Sequence, residues 1–177
     1  MGKRSAWLGG LTAALALTAA TGAQGAANVE YAVKATYLYK FAPFVEWPAS
    51  AFPSPASPFY LCVFGADPFG GTLDLAVNGQ HVDAHPVVVV RMQRVDASTR
   101  CHILYLGASR GQSSADVLSS VRGRPVLTVS EGGGAVIRFV VKNNRVRFDV
   151  DTAAAAANGV TISSRLLALA NAVKAGS

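Results

Sequence analysis

Four short runs of uninterrupted apolar residues constrain the fold of this chain more than any other feature. They cover residues 59–64 (FYLCVF), 87–90 (VVVV), 103–106 (ILYL) and 126–129 (VLTV), and glycine, proline or charged residues bound each run. A strand with one face in water alternates apolar and polar residues, whereas a strand buried on both faces shows continuous apolarity. The sequence therefore predicts an α/β fold with a mostly parallel central sheet and flanking helices.

Helical signals lie around and between these runs. Apolar residues at helical spacing predict a helix over residues 29–45, which Pro43 should end or kink. Asp67, followed by proline, suits the start of a second helix, and residues 113–121 predict a third. The proline-rich stretch 49–58 is predicted to be a flexible loop.

Strict two-residue alternation after residue 134 predicts a C-terminal β-hairpin. Asn143-Asn144 suits a tight primed turn, which pairs Lys142 with Arg145 and Arg138 with Asp149. The side predicted to face the core then carries Ile137, Phe139, Val141, Val146, Phe148 and Val150.

Two helices are predicted to follow this hairpin. The first is capped by Asp151 and ends at Asn158-Gly159, a pair typical of a helix C-terminus. After an extended stretch over residues 160–162, Ser163 or Ser164 caps a last helix that includes Val173.

The other side of the hairpin collects positive charge. Its cationic face consists of Arg138, Lys142, Arg145 and Arg147, with one charge offset by Asp149. The whole chain has 16 lysines and arginines against 10 acidic residues. We interpret this face as a contact site for an anionic partner, and the alternative is an ordinary solvated sheet surface.

Residues 1–27 have the pattern of a signal peptide. Lys3 and Arg4 precede an apolar stretch over residues 8–20, and small residues suitable for cleavage follow at 23–27. The stretch is shorter than the roughly 20 residues that a membrane-spanning helix needs. We therefore predict export to the periplasm without membrane insertion, and a single domain over residues 28–177. Export makes nucleic acid binding and nucleotide-driven catalysis improbable.

Residues with catalytic or metal-binding potential are few. His81 and His85 are four apart, but Gly79, Asp83 and Pro86 around them predict a loop rather than a metal-binding helix. His102 follows Cys101, and a cysteine–histidine pair can act as a nucleophile. Side chains of adjacent strand residues point to opposite faces, however, so these two are not expected to hydrogen-bond to each other. No catalytic site, metal or cofactor is predicted, and the protein is not expected to be an enzyme.

Cys62 and Cys101 are the only cysteines of the chain. An even pair in an oxidising compartment favours a disulfide, and the alternative is two separate buried thiols.

Several segments resemble the YfiR-like family of periplasmic regulators. The most specific is residues 34–48 (KATYLYKFAPFVEWP), and the others are residues 61–65, 67–69, 101–105, 123–130, 144–148 and 162–167. Their order and spacing agree with the family pattern over nearly the whole mature chain. The chain differs from some members in lacking a second cysteine pair near the hairpin.

The resemblance implies a non-enzymatic binder that represses a membrane-anchored diguanylate cyclase through its periplasmic domain. Repression would lower cyclic di-GMP output and biofilm formation, and an outer-membrane lipoprotein could sequester the repressor. The resemblance also implies that Cys62 and Cys101 form a stabilising disulfide.

Exposed apolar surface is the physical requirement for such binding, and a homodimer could use the same surface. The candidate partner-binding residues are Phe44, Trp47, Val160, Ile162 and Leu166, for which packing in the core is the alternative. The first rival function is a small-molecule sensor with a cleft near Asp67 and residues 130–134, at the carboxyl ends of the parallel strands. The others are an accessory protein for a membrane kinase or an outer-membrane receptor, and a hydrolase with an unrecognised site.

Overall fold

The computed structural model describes residues 20–175, and it confirms the α/β fold with a central, mostly parallel sheet. Eight strands form the main sheet in the order β10-β8-β7-β6-β5-β2-β4-β3, and a separate two-stranded sheet pairs β1 with β9. The strands are β1 (Val45–Glu46), β2 (Phe59–Phe64), β3 (His81–Val82), β4 (His85–Met92), β5 (Ile103–Leu106), β6 (Leu127–Ser130), β7 (Ile137–Lys142), β8 (Arg145–Asp151), β9 (Thr161–Ile162) and β10 (Ala172–Lys174). The α-helices are α1 (Ala20–Lys40), α2 (Gly71–Val77), α3 (Ser114–Val121), α4 (Thr152–Ala157) and α5 (Ser164–Leu169).

The four apolar runs form adjacent strands of the sheet, as predicted. The prediction of burial on both faces is wrong for the run in β4, where Val88 is 38% exposed, because β4 lies next to the short edge strand β3 and is incompletely covered. Strands β4, β2, β5 and β6 pair in parallel, and β7 continues the parallel order on β6. Every residue of β5 and β6 is buried, which requires cover on both faces. Helices α1 and α2 pack on one face, through side chains such as Leu38 and Leu73, and α3 packs on the other through Val117 and Val121.

The C-terminal hairpin has the predicted register. Lys142 pairs with Arg145 and Arg138 with Asp149, and Asn143 and Asn144 both have positive φ, as a primed turn requires. The core side is correct for four of the six predicted residues, but Val141 is 52% exposed and Val146 only half-buried. These two residues lie next to the turn, beyond the layer that buries Phe139 and Phe148, so the prediction of a buried Val141 is wrong.

The first helix is longer than predicted. Within the described residues it covers Ala20–Lys40, whereas the predicted start was Val29, and a short 3₁₀ helix over Ala42–Phe44 follows. Pro43 lies in that 3₁₀ helix, which agrees with its predicted role as a helix terminator. Most of the predicted signal peptide falls on residues 1–19, outside the described residues. Within residues 20–175, none of the helices is long and apolar enough to cross a membrane.

Two local predictions between β2 and β4 are wrong. Helix α2 begins at Gly71 rather than at Asp67, because the Asp67 carboxylate accepts hydrogen bonds from the backbone N–H groups of Phe69 and Gly70 in a separate turn. His81 and His85 lie on strands β3 and β4 rather than in a loop. The turn between them is possible because Asp83 adopts a φ of 52°, so β3 pairs back on β4.

The C-terminal segment contains a strand that the sequence pattern did not predict. Helix α4 is capped by Asp151 and ends before Asn158 and Gly159, and Ser163 caps α5, as expected. Helix α5 then stops at Leu169 instead of continuing through Val173. Residues Ala172–Lys174 form β10, a parallel edge strand on β8, because the Asn171 N–H donates to the Phe148 carbonyl and directs the chain along the sheet.

The proline-rich stretch 49–58 contains one short 3₁₀ turn, Ala49–Ala51, and is otherwise irregular. Phe52 anchors its middle by stacking between the rings of His85 and His102, at centroid distances of 3.9 and 4.6 Å. The predicted loop is thus present, with one aromatic attachment to the domain. Its flexibility remains a prediction.

Candidate functional site

The predicted partner-binding residues come from two distant segments that the structure brings together. Strand β1 pairs antiparallel with β9, so that Val45 lies opposite Ile162, and the Ser163 N–H donates to the Phe44 carbonyl. Phe44 and Trp47 are half-buried and pack against the core with part of each ring accessible. We call Phe44 and Trp47 the aromatic edge.

The other three candidates are in the core. Val160, Ile162 and Leu166 are 3%, 8% and 2% exposed. Side chains this deeply buried cannot contact a partner while the domain keeps this conformation. These three residues therefore pack internally, which was the alternative to partner binding. Of the five predicted partner-binding residues, only those of the aromatic edge are accessible to solvent.

The disulfide between Cys62 and Cys101 is present, with Cα atoms 5.9 Å apart. Cys62 lies in β2, and Cys101 lies two residues before the neighbouring strand β5. The alternative of two separate thiols is thereby excluded. The bridge joins two central strands of the sheet and lies in the apolar cluster beneath α3.

His102, next to this bridge, is a buried structural histidine. Its Nδ1 accepts a hydrogen bond from the Tyr60 backbone N–H at 2.9 Å, so the proton of the neutral ring is on Nε2, which donates to the Ala51 carbonyl at 3.1 Å. Phe52 and Phe59 stack against the ring. This arrangement holds the loop 49–58 on the sheet and leaves neither ring nitrogen free to act as a catalytic base.

We expect protonation of His102 to destabilise the fold. Burial lowers its pKa below the ordinary value of 6.5, and the neighbouring His85 lowers it further, although the bond to the Ala51 carbonyl opposes the shift. Below about pH 6.5 the unfolded chain therefore binds more protons than the folded chain, so the stability present above that pH falls as the pH decreases. NMR titration of the His102 ring would measure this pKa. A value at or above 6.5 would contradict the expectation.

The carboxyl ends of the parallel strands form a cleft of about 460 Å³, here called the switch-point cleft. The chain leaves β2 through α2 on one face of the sheet, and it leaves β5 through α3 on the other, so the crevice between these strands lies where the winding direction reverses. Such points are the usual ligand sites of open α/β sheets. The lining includes Tyr31, Tyr105, Ser114, Ser130 and Glu131.

A charged network centred on a buried lysine lies beside this cleft. The side chain of Lys34, on α1, is 1% exposed, and its ammonium group pairs with Glu30 and with Glu131, the latter at 2.9 Å. The Tyr105 hydroxyl donates to Glu131 at 2.9 Å, and the Lys34 nitrogen lies 4.5 Å from the centre of the Tyr31 ring. Lys34 was visible in the sequence as a charge within an apolar helix, but its partner Glu131 had no local signal.

The electrostatics of this network keep its groups in their ordinary ionisation states. Burial alone would lower the pKa of Lys34, but the hydrogen bonds with Glu30 and Glu131 outweigh burial and raise it. Burial alone would raise the pKa of Glu131, but its bonds with Lys34 and Tyr105 lower it. Burial and the Glu131 charge raise the pKa of Tyr105. The pKa values of Lys34, Glu131 and Tyr105 all move away from neutrality, so these three groups are suited to fixing charge and shape rather than to proton transfer.

The cationic face of the hairpin is held unevenly. Arg138 pairs with Asp149 at 2.6 Å, and Lys142 donates to the Asn171 side-chain oxygen at 3.2 Å. The side chains of Arg145 and Arg147 are exposed and make no hydrogen bond or ion pair with any residue in the described part of the chain. Of the three arginines on these two strands, Arg138 thus has an acidic partner, whereas Arg145 and Arg147 have none in the described part of the chain.

The remaining candidates form local structural contacts. His85 makes a hydrogen bond to the Ser57 carbonyl, and His81 to the Gly79 carbonyl. Asp67 pairs with Arg91 at 2.6 Å, outside the residues that line the switch-point cleft. Within residues 20–175, no group of three or more metal-ligating side chains comes together.

One comparison with known proteins bears on these sites. A family model described as YfiR/HmsC-like matches residues 31–171, which is most of the chain. The matched range includes the aromatic edge, both cysteines, the charged network except Glu30, and the whole hairpin.

Proposed function

The chain belongs to the YfiR/HmsC-like family of periplasmic regulators of diguanylate cyclase signalling, and from this we propose that it binds the periplasmic domain of an inner-membrane diguanylate cyclase and represses it. Lower cyclic di-GMP output and less biofilm would follow. Repression requires that the protein bind the inactive conformation of the cyclase more tightly than the active one. The family match is the observation that carries this proposal.

The aromatic edge is the contact surface that we propose. Aromatic residues supply most of the energy at many protein interfaces when they enter a partner's pocket from a rigid support. Phe44 and Trp47 have that support, since β1 pairs with β9 and the Trp47 indole N–H donates to the Ala42 carbonyl at 3.3 Å. A homodimer or an outer-membrane lipoprotein that covered the same edge would compete with the cyclase.

A Phe44→Ala substitution is expected to weaken cyclase binding roughly thirtyfold, the effect of losing an interface residue worth about 2 kcal/mol. The matched control is Phe52→Ala, because Phe52 is also half-buried and packed against the core but lies in the loop 49–58. Affinity would be measured with the purified periplasmic domains of the host's membrane-anchored cyclases, and cyclic di-GMP in cells that carry each variant.

The control separates binding from folding. Both substitutions should lower the melting temperature, but only Phe44→Ala should raise cyclic di-GMP in cells. Equal loss of repression in the two variants, or none in either, would reject the aromatic edge as the contact surface. Absence of binding to any of these domains by the unmodified protein would reject the cyclase as partner.

The switch-point cleft supports a second candidate function, sensing of a small periplasmic molecule. Its position at the reversal of the winding and its size favour a ligand, whereas the mutual pairing of Lys34, Glu131 and Tyr105 is also what a purely structural network would have. A ligand that binds only the folded state raises the melting temperature by mass action. Thermal-shift screening of periplasmic metabolites, repeated on a Ser130→Leu variant that fills the cleft, tests this candidate.

A further inference from the structure

We propose that the cationic face is a docking site for the headgroups of anionic phospholipids, through which the domain lies against a membrane surface. The inference does not rest on repression of a cyclase, because lipid binding is a property of the purified protein alone. It starts from an electrostatic arrangement that folding does not explain.

Like charges lie directly opposite each other on this face. Lys142 is the cross-strand partner of Arg145, and Arg147 is the next residue of β8 on the same side. Directly opposed like charges destabilise a strand pair. The same hairpin shows the stabilising alternative, since Arg138 lies opposite Asp149 and pairs with it. The hairpin register therefore allows a carboxylate opposite a cation. At the pair formed by Lys142 and Arg145, however, both residues are cations.

Nearby acids are already engaged. Asp149 accepts from Arg138 at 2.6 Å and from the Asn171 amide at 2.7 Å, and Asp151 pairs with Lys174 at 3.1 Å. Across the described part of the chain, no carboxylate pairs with Lys142, Arg145 or Arg147. The positive potential at this end of the sheet is therefore available to an external anion.

The three cations surround a concavity rather than a flat surface. Its volume is about 470 Å³, and its lining consists of Lys142, Asn143, Arg145, Arg147, Leu169, Ala170 and Asn171. Asn171 is fixed in place, because its backbone N–H donates to the Phe148 carbonyl at 2.7 Å and its side chain bridges Lys142 and Asp149. The N–H groups of arginine guanidinium and side-chain amide groups can donate hydrogen bonds to the oxygens of a phosphate diester.

An apolar residue at the rim favours a lipid over a free phosphate. Leu169 is 62% exposed and lines the concavity beside the cations. Cations next to exposed apolar side chains are typical of protein surfaces that lie in a membrane interface, where headgroups and acyl chains are adjacent. A soluble anion would make no use of Leu169.

The test is sedimentation with vesicles made of phosphatidylglycerol and phosphatidylcholine, or of phosphatidylcholine alone. The protein is purified from its own cells, so that it carries whatever processing the cells give it. We expect binding to the anionic vesicles that weakens as ionic strength rises toward about 0.15 M. Arg145→Gln combined with Arg147→Gln should weaken binding roughly thirtyfold, or about fivefold per cation. The matched control is Arg94→Gln combined with Arg110→Gln, which removes the same charge from exposed loop positions and should change binding little.

Further arms separate the sources of the anion. Leu169→Ser should weaken vesicle binding but should not affect inorganic phosphate, which we expect to compete only weakly. Saturation of the site by inorganic phosphate without preference for anionic vesicles would overturn the proposal in favour of a soluble anion. Binding of polyglutamate without vesicle binding would overturn it in favour of an acidic protein surface. Equal binding of both vesicle types, or equal loss in both arginine double variants, would overturn it as well.

Discussion

Replacing Cys62 and Cys101 together by alanine is expected to lower the free energy of unfolding by about 4 kcal/mol. The cysteines are 39 positions apart, and a cross-link over such a span lowers the conformational entropy of the unfolded chain by an amount that grows with the length of the closed loop. A loss of this size is a large fraction of the 5–15 kcal/mol that stabilises a typical domain. Urea unfolding of the double variant and of the unmodified protein, each with and without reductant, measures it.

Reductant provides the control for this prediction. The unmodified protein should lose about as much stability on reduction as the substitutions remove, and the double variant should not respond. Because both sulfur atoms are buried, the reduced thiols should react slowly while the protein stays folded. A count of two free thiols on unreduced, native protein would contradict the bridge itself.

Removing both carboxylates from Lys34 should be far more damaging than removing Lys34. Glu30→Gln combined with Glu131→Gln leaves a fully buried ammonium group without a counter-charge, and we expect a loss of about 3 kcal/mol. Lys34→Met leaves the two carboxylates, which are 33% and 39% exposed and can be hydrated, so its cost should be much smaller. Denaturant unfolding at neutral pH ranks the variants.

The dependence of the free energy of unfolding on alkaline pH should also differ in sign between the unmodified protein and the double glutamine variant. In the unmodified protein the pKa of Lys34 is raised, so its stabilising contribution is fully present below the unfolded value of about 10.4 and is lost as the pH rises through the folded value. In the double glutamine variant burial lowers the pKa of Lys34, so the unfolded chain binds more protons and stability should increase with pH below about 10.4. Equal stability of the glutamine and methionine variants, with parallel pH profiles, would show that the pairing contributes little.

The sequence predicted those elements whose signals are local. The apolar runs identified the parallel strands, and three of the four runs are buried on both faces as continuous apolarity indicates, whereas the run in β4 is only partly covered. Asn143-Asn144 set the hairpin register, since few residue pairs accept positive φ at both positions. Ser113, Asp151 and Ser163 marked helix starts by a local signal of another kind. Each is an N-cap whose side chain accepts a hydrogen bond from the backbone N–H three residues later.

Elements that depend on distant partners were not predicted. Val173 has helical spacing relative to Leu166 and Leu169, but pairing of β10 with β8 determines its conformation. Strand β1 has two residues, and only β9 makes it a strand. The network of Lys34, Glu131 and Tyr105 joins a helix, a loop and a strand that are far apart along the chain. Of the predicted interaction residues, those of the aromatic edge and the cationic face are accessible, whereas Val160, Ile162 and Leu166 are in the core. Binding by the accessible residues stays a prediction.

The cystine has a topological consequence for survival of the protein when a protease cuts it. It closes a covalent ring over residues 62–101, which contains α2, β4 and the edge strand β3. A protease that cuts one peptide bond within this ring leaves both fragments attached through sulfur, and strands β2 and β5 stay adjacent. The same cut in the hairpin or in the loop 49–58 would release a separable piece. The side of the sheet that ends in β3 and β4 can therefore be nicked once and still remain a single molecule.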